Sequence, residues 1–188
     1  LVMLGIRYDS EQGLAFGARI AQAMRDEAYR ASVDLAVEKG AFPALDAERY
    51  LQSGFARRLP DDIRSAVAER GIRNSHLLSI APTGTIALAF ADNASNGIEP
   101  AFAWSYTRRK RMADGSTQEY AVEDHAYRLF RERGGDTECL PEAFVSALDM
   151  TAEQHLQMLV AVQPFIDSSI SKTVNVPAGG AAHLATAV

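Results

Sequence analysis

The sequence predicts an α/β domain with a mostly parallel sheet. Short apolar segments of strand character alternate with longer segments of helical period, apart from one hairpin. Of the 188 residues, 47% are hydrophobic, enough for one sizeable core. No stretch approaches the roughly 18 consecutive apolar residues that a membrane span needs. The strands are too few to close a barrel by themselves.

Residues 10–39 read as a long helix. Asp9 and Gln12 have the spacing of a capping box, Leu14, Phe16, Ile20, Met24 and Ala28 recur at helical intervals, and Gly40 stands at the C′ position. Gly13 and Gly17 lower the helix propensity, so the first turns are expected to fray or to pack closely. A short helix is expected at 47–52. Pro60 opens another, with Asp61 and Asp62 in its first turn and Gly71 at its end.

Residues 77–80 (Leu-Leu-Ser-Ile) read as a buried strand, followed by a loop and a helix at 86–91. Phe102, Trp104 and Tyr106 alternate as a strand, 113–116 form a turn, and 118–122 return. Helices are expected at 123–133, 141–148 and 152–162, the last with Thr151 and Gln154 as a capping box. Residues 170–176 alternate as a strand that stops at Pro177. The small-residue stretch 178–188 is expected to be a loosely held tail.

The net charge of −5 gives the chain no long-range pull on a polyanion, so a nucleic-acid role would need a concentrated patch. Cys139 is the only cysteine, which excludes an intrachain disulfide and a CxxC metal site. No secretory signal is expected, and the cytoplasm is the default compartment. A first residue of Leu1 rather than Met fits a fragment.

The most informative segment runs from Asn74 to Leu88, where a strand ends, a loop turns and a helix begins. The first amides of a helix have no internal partner, and an anion placed there satisfies them. In Pro82, Thr83, Gly84, Thr85 and Ile86, the proline fixes the entry angle, the glycine lets a phosphate approach without a Cβ in the way, and two threonines add hydroxyls. There is no Walker lysine. On this string alone, an ordinary helix cap remains open beside the phosphate site.

A longer set of strings resembles the adenosylcobalamin-dependent (class II) ribonucleotide reductases. These are Arg73-Asn74-Ser75-His76, Ala81-Pro82-Thr83-Gly84-Thr85-Ile86, Asp92-Asn93-Ala94-Ser95-Asn96-Gly97-Ile98-Glu99-Pro100, Tyr106-Thr107-Arg108-Arg109-Lys110-Arg111, and Ile170 through Pro177, in that order. The resemblance covers residues 1–177. It implies the incomplete second half of a ten-stranded α/β barrel, and a parent enzyme that reduces ribonucleoside diphosphates by adenosylcobalamin-initiated thiyl radical chemistry for DNA synthesis. It also implies that Pro82, Thr83, Gly84, Thr85 and Ile86 hold the substrate's phosphates, with Asn96, Gly97, Ile98, Glu99 and Pro100 as a pocket wall.

The family's radical cysteine sits in Asn-x-Cys-x-Glu. Cys139, in Asp136-Thr137-Glu138-Cys139-Leu140, does not match, so no catalytic residue is assigned and the chain alone is expected to be inactive. The implied partners are the ribonucleotide, the remainder of the reductase barrel, and another copy of the parent if it is a homo-oligomer. No membrane is implied.

Three other features have both bland and functional readings. Residues 104–111 could use Trp104, Tyr106 and four basic residues as a nucleic-acid module, or be a solvated hairpin whose charges protect an edge. A non-functional remnant is a further alternative. His76, His125, His155 and His183 lack metal-site spacing and read as structural or surface residues. Lys172 and Asn175 either line the barrel near the substrate or face solvent.

Overall fold

The computed structural model describes residues 1–175; the expected tail, and Val176 and Pro177, lie outside them. The described elements are α1 (Glu11–Lys39), α2 (Ala47–Leu51), α3 (Asp61–Arg70), α4 (Gly84–Phe90), β1 (Ser105–Arg111), β2 (Thr117–Glu123), α5 (His125–Glu132) and α6 (Ala152–Val162). The chain divides into two compact units. Of the described residues, one holds Leu1–Leu14, Ala81–Leu159 and 171–175; the other holds Ala15–Ile80 and Val160–Ile170.

The second unit packs most of α1 with α2 and α3. Its core is Tyr29, Val33, Ala56, Leu59, Ile63, Val67 and Ile72, with Phe42, Leu45 and Phe55 around it. Within α1 the buried stripe is Ala21, Arg25, Tyr29, Ser32, Val33 and Ala36. The expected core positions Ile20 and Met24 are instead 48% and 56% exposed, as α1 is apolar on more than one face and the packed stripe is the one that meets α3 residues. Gly40 closes the helix at φ 81°, with its amide donated to Ala36 O.

The strand expected at 77–80 is reduced to one parallel bridge between Ile80 and Ile170. Asp167 is the reason. Its carboxylate accepts from the amides of Leu77 at 2.7 Å and Leu78 at 2.9 Å, and from the Tyr29 hydroxyl at 2.7 Å. A side chain thus takes amides that a neighbouring strand would have taken. Ser168 N to Leu78 O and Ile80 N to Ser169 O complete this short pairing.

In the first unit, β1 and β2 form an antiparallel ribbon in the register Ser105↔Glu123 through Arg111↔Thr117. Met112 and Ser116 close the turn, with Gly115 at φ 84°. Asp124 follows β2 and caps α5, accepting from Ala126 N at 2.8 Å. Trp104, Phe144 and Phe130 stack in sequence, with centroids 5.0 and 5.4 Å apart. The Thr151–Gln154 capping box forms reciprocally at the head of α6.

Two further expectations are corrected in this unit, and the alternative left open for Gly13 is resolved. Ser10, not Asp9, caps α1: its Oγ accepts from Gly13 N at 3.0 Å, while Asp9 pairs with Arg7 and Gln154. Gly13 packs closely rather than fraying, since a Cβ there would run into the Arg7 carbonyl. The helix expected at 141–148 is a set of turns, because Ala147 donates its amide to Ala101 O at 2.8 Å instead of to the preceding turn.

Residues 171–175 form no strand; the amide of Thr173 goes to a carboxylate, that of Glu99. Among the described residues the β structure is therefore one antiparallel ribbon and one parallel bridge, not a mostly parallel sheet.

Ile63→Ala should cost about 2–5 kcal/mol, the loss for a fully buried aliphatic side chain. Met24→Ala should cost under about 0.5 kcal/mol. Urea denaturation of the chain followed by far-UV circular dichroism checks both; equal costs would show that α1 buries the other stripe.

Candidate functional site

Residues 82–86 and 96–100 meet in the first unit. Thr83 heads α4 in the left-handed region at φ 52°, a conformation that costs a β-branched residue of order 1–3 kcal/mol. Its side chain does not cap the helix. Instead Thr83 Oγ1 accepts from Gly97 N at 2.8 Å, and the first helical bond runs from Ala87 N to Thr83 O. The amides of Gly84, Thr85 and Ile86 thus lie ahead of that bond with no side-chain cap, and Thr85 and Ile86 are exposed.

The two glycines here answer to different constraints. Gly97 sits at φ 53°, and a Cβ on it would lie 2.7 Å from Ala81 O. Packing demands glycine at that position. Among the described residues Gly84 has no such need: a Cβ there would meet only Asn96 Nδ2, at an ordinary 3.8 Å. The fold does not explain why Gly84 lacks a side chain at the start of a helix, where alanine would be favoured.

Behind the 96–100 loop lies a buried polar cluster. Lys172 Nζ donates to Glu99 Oε2 at 2.9 Å, His155 Nδ1 at 2.8 Å and Thr173 O at 2.9 Å. The Lys172 and Glu99 side chains are only 2% and 8% exposed. Glu99 Oε1 accepts from Thr173 N at 2.6 Å. Lysine carries only donors, so His155 Nδ1 must accept; Nε2 then bears the proton and donates to Ala147 O at 3.0 Å. Asn175 Nδ2 reaches the same carbonyl at 3.3 Å. Tyr8 lies with its ring 6.0 Å from Lys172 Nζ and donates its hydroxyl to Ile98 O at 2.8 Å.

The electrostatics follow from burial. His155 is fully buried, and its pKa is held below the ordinary histidine value, first by burial and then by the Lys172 charge, against opposing contributions from Ala147 O and Glu99. The Tyr8 hydroxyl is pushed up, mainly by burial and secondarily by the Glu99 carboxylate.

The sequence brought forward both loops but not the cluster joining them. Of the residues with open readings, the Lys172 side chain is buried rather than facing solvent, and His155 is fully buried. Their signal was one lysine inside an apolar run, which alternation alone could not interpret. Cys139 is exposed, and His76 and His125 are in exposed hydrogen bonds. His183 lies outside the described residues. Trp104 packs edge-on against Phe144 rather than standing free to stack on bases, and Arg109 is paired with Glu119. Among the described residues no group of three His, Cys, Asp or Glu could hold a metal ion, and no helix is long and apolar enough to cross a membrane.

The family model for the ribonucleotide reductase barrel domain matches residues 1–187, and the chain belongs to that family. It is 34% identical to a vitamin B12-dependent ribonucleoside-diphosphate reductase of Mycobacterium tuberculosis, over 95% of this chain and 25% of that protein. It is 28% identical to the enzyme of the same name from Thermoplasma acidophilum, over 93% of this chain and 23% of that protein. A vitamin B12-dependent ribonucleotide reductase of Streptomyces coelicolor is 27% identical over 94% of the chain and 23% of its own length. The chain therefore spans about a quarter of the relatives it matches.

Because the folded pKa of His155 lies below its unfolded value of about 6.5, its contribution to stability is present above that value and lost as pH falls toward the folded pKa. Asp62, Asp114 and Asp149 are also held low, each chiefly by a side-chain hydrogen bond, but they act nearer the carboxylate range of about 4. The urea midpoint read by Trp104 fluorescence should fall between pH 7 and 5. His155→Gln, which can donate to Ala147 O and accept from Lys172, should flatten that slope; an unchanged slope would remove His155 as its source.

Proposed function

We propose that this chain is the substrate-phosphate part of the catalytic barrel of a vitamin B12-dependent ribonucleoside-diphosphate reductase. The parent enzyme reduces ribonucleotides to deoxyribonucleotides; the chain by itself performs no reduction. The observation that carries the reading is the uncapped head of α4, where three successive amides precede the first helical bond beside a glycine that packing does not require. Amides left without internal acceptors suit a diphosphate, which brings several acceptor oxygens and negative charge. Thr83 spends its Oγ1 lone pair on Gly97 and keeps its proton to donate, and Thr85 adds a second hydroxyl.

Adenosylcobalamin would supply radical initiation in the parent enzyme. The described residues do not fit it: the loops offer amides and hydroxyls, and His155 has both ring nitrogens engaged and no exposure. No step through the cofactor is assigned to this segment.

Exposed apolar side chains support a place within a larger barrel. Ile86 and Phe90 on α4 are 60% and 88% exposed, and the β1–β2 ribbon is open on both faces except near Val122. A lone two-stranded ribbon is at best marginal in water, so further chain is expected to cover it.

The test is a nuclear magnetic resonance titration of the chain with pyrophosphate and a ribonucleoside diphosphate. Saturable shifts are expected at the amides of Gly84, Thr85 and Ile86. Gly84→Val should remove them while leaving the resonances of β1, β2 and α6 in place. Equal binding by wild type and variant would exclude the loop as the phosphate site.

A further inference from the structure

The Glu99–Lys172–His155 cluster touches no position at which a phosphate would bind, yet it lies one tight turn away from the loop that would bind it. Residues 96–99 close on themselves through Glu99 N to Asn96 O at 2.9 Å. At one end of that turn Gly97 donates its amide to Thr83 Oγ1 and leaves no room for a Cβ beside Ala81 O; at the other Glu99 enters the cluster. A turn this short has little slack, so where the buried Glu99 side chain holds the Glu99 backbone bears on where the Gly97 amide sits.

We propose that Glu99, Lys172 and His155 are positioning residues that set the 96–99 turn against Thr83 and so hold the amides of 84–86 in the arrangement a nucleotide's phosphates require. The inference rests on the phosphate reading of 82–86. Three features of the cluster support a positioning role. It is closed: each Lys172 proton, both Glu99 oxygens and both His155 nitrogens have a partner. It is directional, since among the described residues His155 Nδ1 is the acceptor for the third Lys172 proton, and Ala147 O fixes that tautomer. It also restrains a strained residue, because Thr83 in the left-handed region is held by the Gly97 amide that the turn presents. A buried ion pair is seldom more stabilising than apolar residues of the same shape, while it does specify one geometry among several.

Three variants of the 188-residue chain test this, with pyrophosphate as the probe. Glu99→Gln with Lys172→Met removes both charges together, so that no unpaired charge is left buried. His155→Leu deletes the acceptor for the third Lys172 proton, and His155→Gln restores it. Hydrogen exchange at the Gly97 amide and pyrophosphate affinity are measured for each, with the resonances of β1, β2 and α5 reporting that the unit is folded.

The double variant and His155→Leu should exchange Gly97 faster and bind pyrophosphate more weakly, on the order of tenfold, while His155→Gln stays near wild type. Folded variants with wild-type Gly97 exchange and wild-type affinity would overturn the proposal, as would a His155→Gln variant no better than His155→Leu. If the wild type fails to bind pyrophosphate while Gly97 still loosens in the double variant, the phosphate reading of 82–86 falls and the coupling between cluster and loop is supported.

Discussion

A buried ammonium needs an acceptor for each of its three protons, and the geometry around Lys172 is what satisfying that need looks like. The acceptors come from Glu99 and His155, both distant in sequence, and from the carbonyl of the adjoining Thr173. Leaving any of them out would strand a charge in a site of low dielectric, which is far more costly than a missing apolar contact. The 96–100 loop, α6 and the segment 171–175 are therefore tied together by electrostatics rather than by strand pairing. The same requirement fixes the His155 tautomer, and through Ala147 O it reaches the irregular stretch 141–150.

Carboxylates play the role of absent strands twice in this chain. Asp167 accepts the amides of Leu77 and Leu78, and Glu99 accepts that of Thr173. A carboxylate has two oxygens and several lone pairs, so it can terminate a backbone segment that has no neighbour in a ladder. It does so at a point, not along a line. That is why 77–80 and 170–176 alternate like strands in sequence but keep only the Ile80–Ile170 bridge among the described residues. Alternation reports which side chains are apolar; it does not report where the backbone's own hydrogen bonds go.

The legible parts of the sequence were those set by local chemistry. The ends of α1 and α3, the α6 capping box, the hairpin turn and the loop before α4 follow from capping, glycine and proline positions and short-range periodicity. What was not legible depends on distant partners. The buried face of α1 could not be chosen from apolarity, because the stripe that packs includes Arg25 and Ser32 while Ile20 and Met24 stay exposed, and only contact with α3 residues such as Ile63 decides between stripes. Residues 141–148 have helical composition, but Ala101 O captures the Ala147 amide from more than forty positions away. Glu99 and Lys172 were visible separately, one in a turn and one in an apolar run, and nothing local joins them.

The loop at 82–86 combines two kinds of cost that folding alone does not explain. Thr83 takes a backbone conformation unfavourable for a β-branched residue, and Gly84 begins a helix where alanine would fit. Gly97 differs, since its missing Cβ is demanded by Ala81 O. Strain at Thr83 can persist only while the surroundings hold it, and the contact that holds its side chain is the hydrogen bond from Gly97. That bond can be reliable only if the turn bearing Gly97 is itself fixed, and its far end is fixed by the Glu99 carboxylate. On the proposed reading, the buried ion pair and the strained, solvent-facing loop are complementary halves of one arrangement: the buried half restricts the turn, and the turn keeps the exposed amides aligned for an anion.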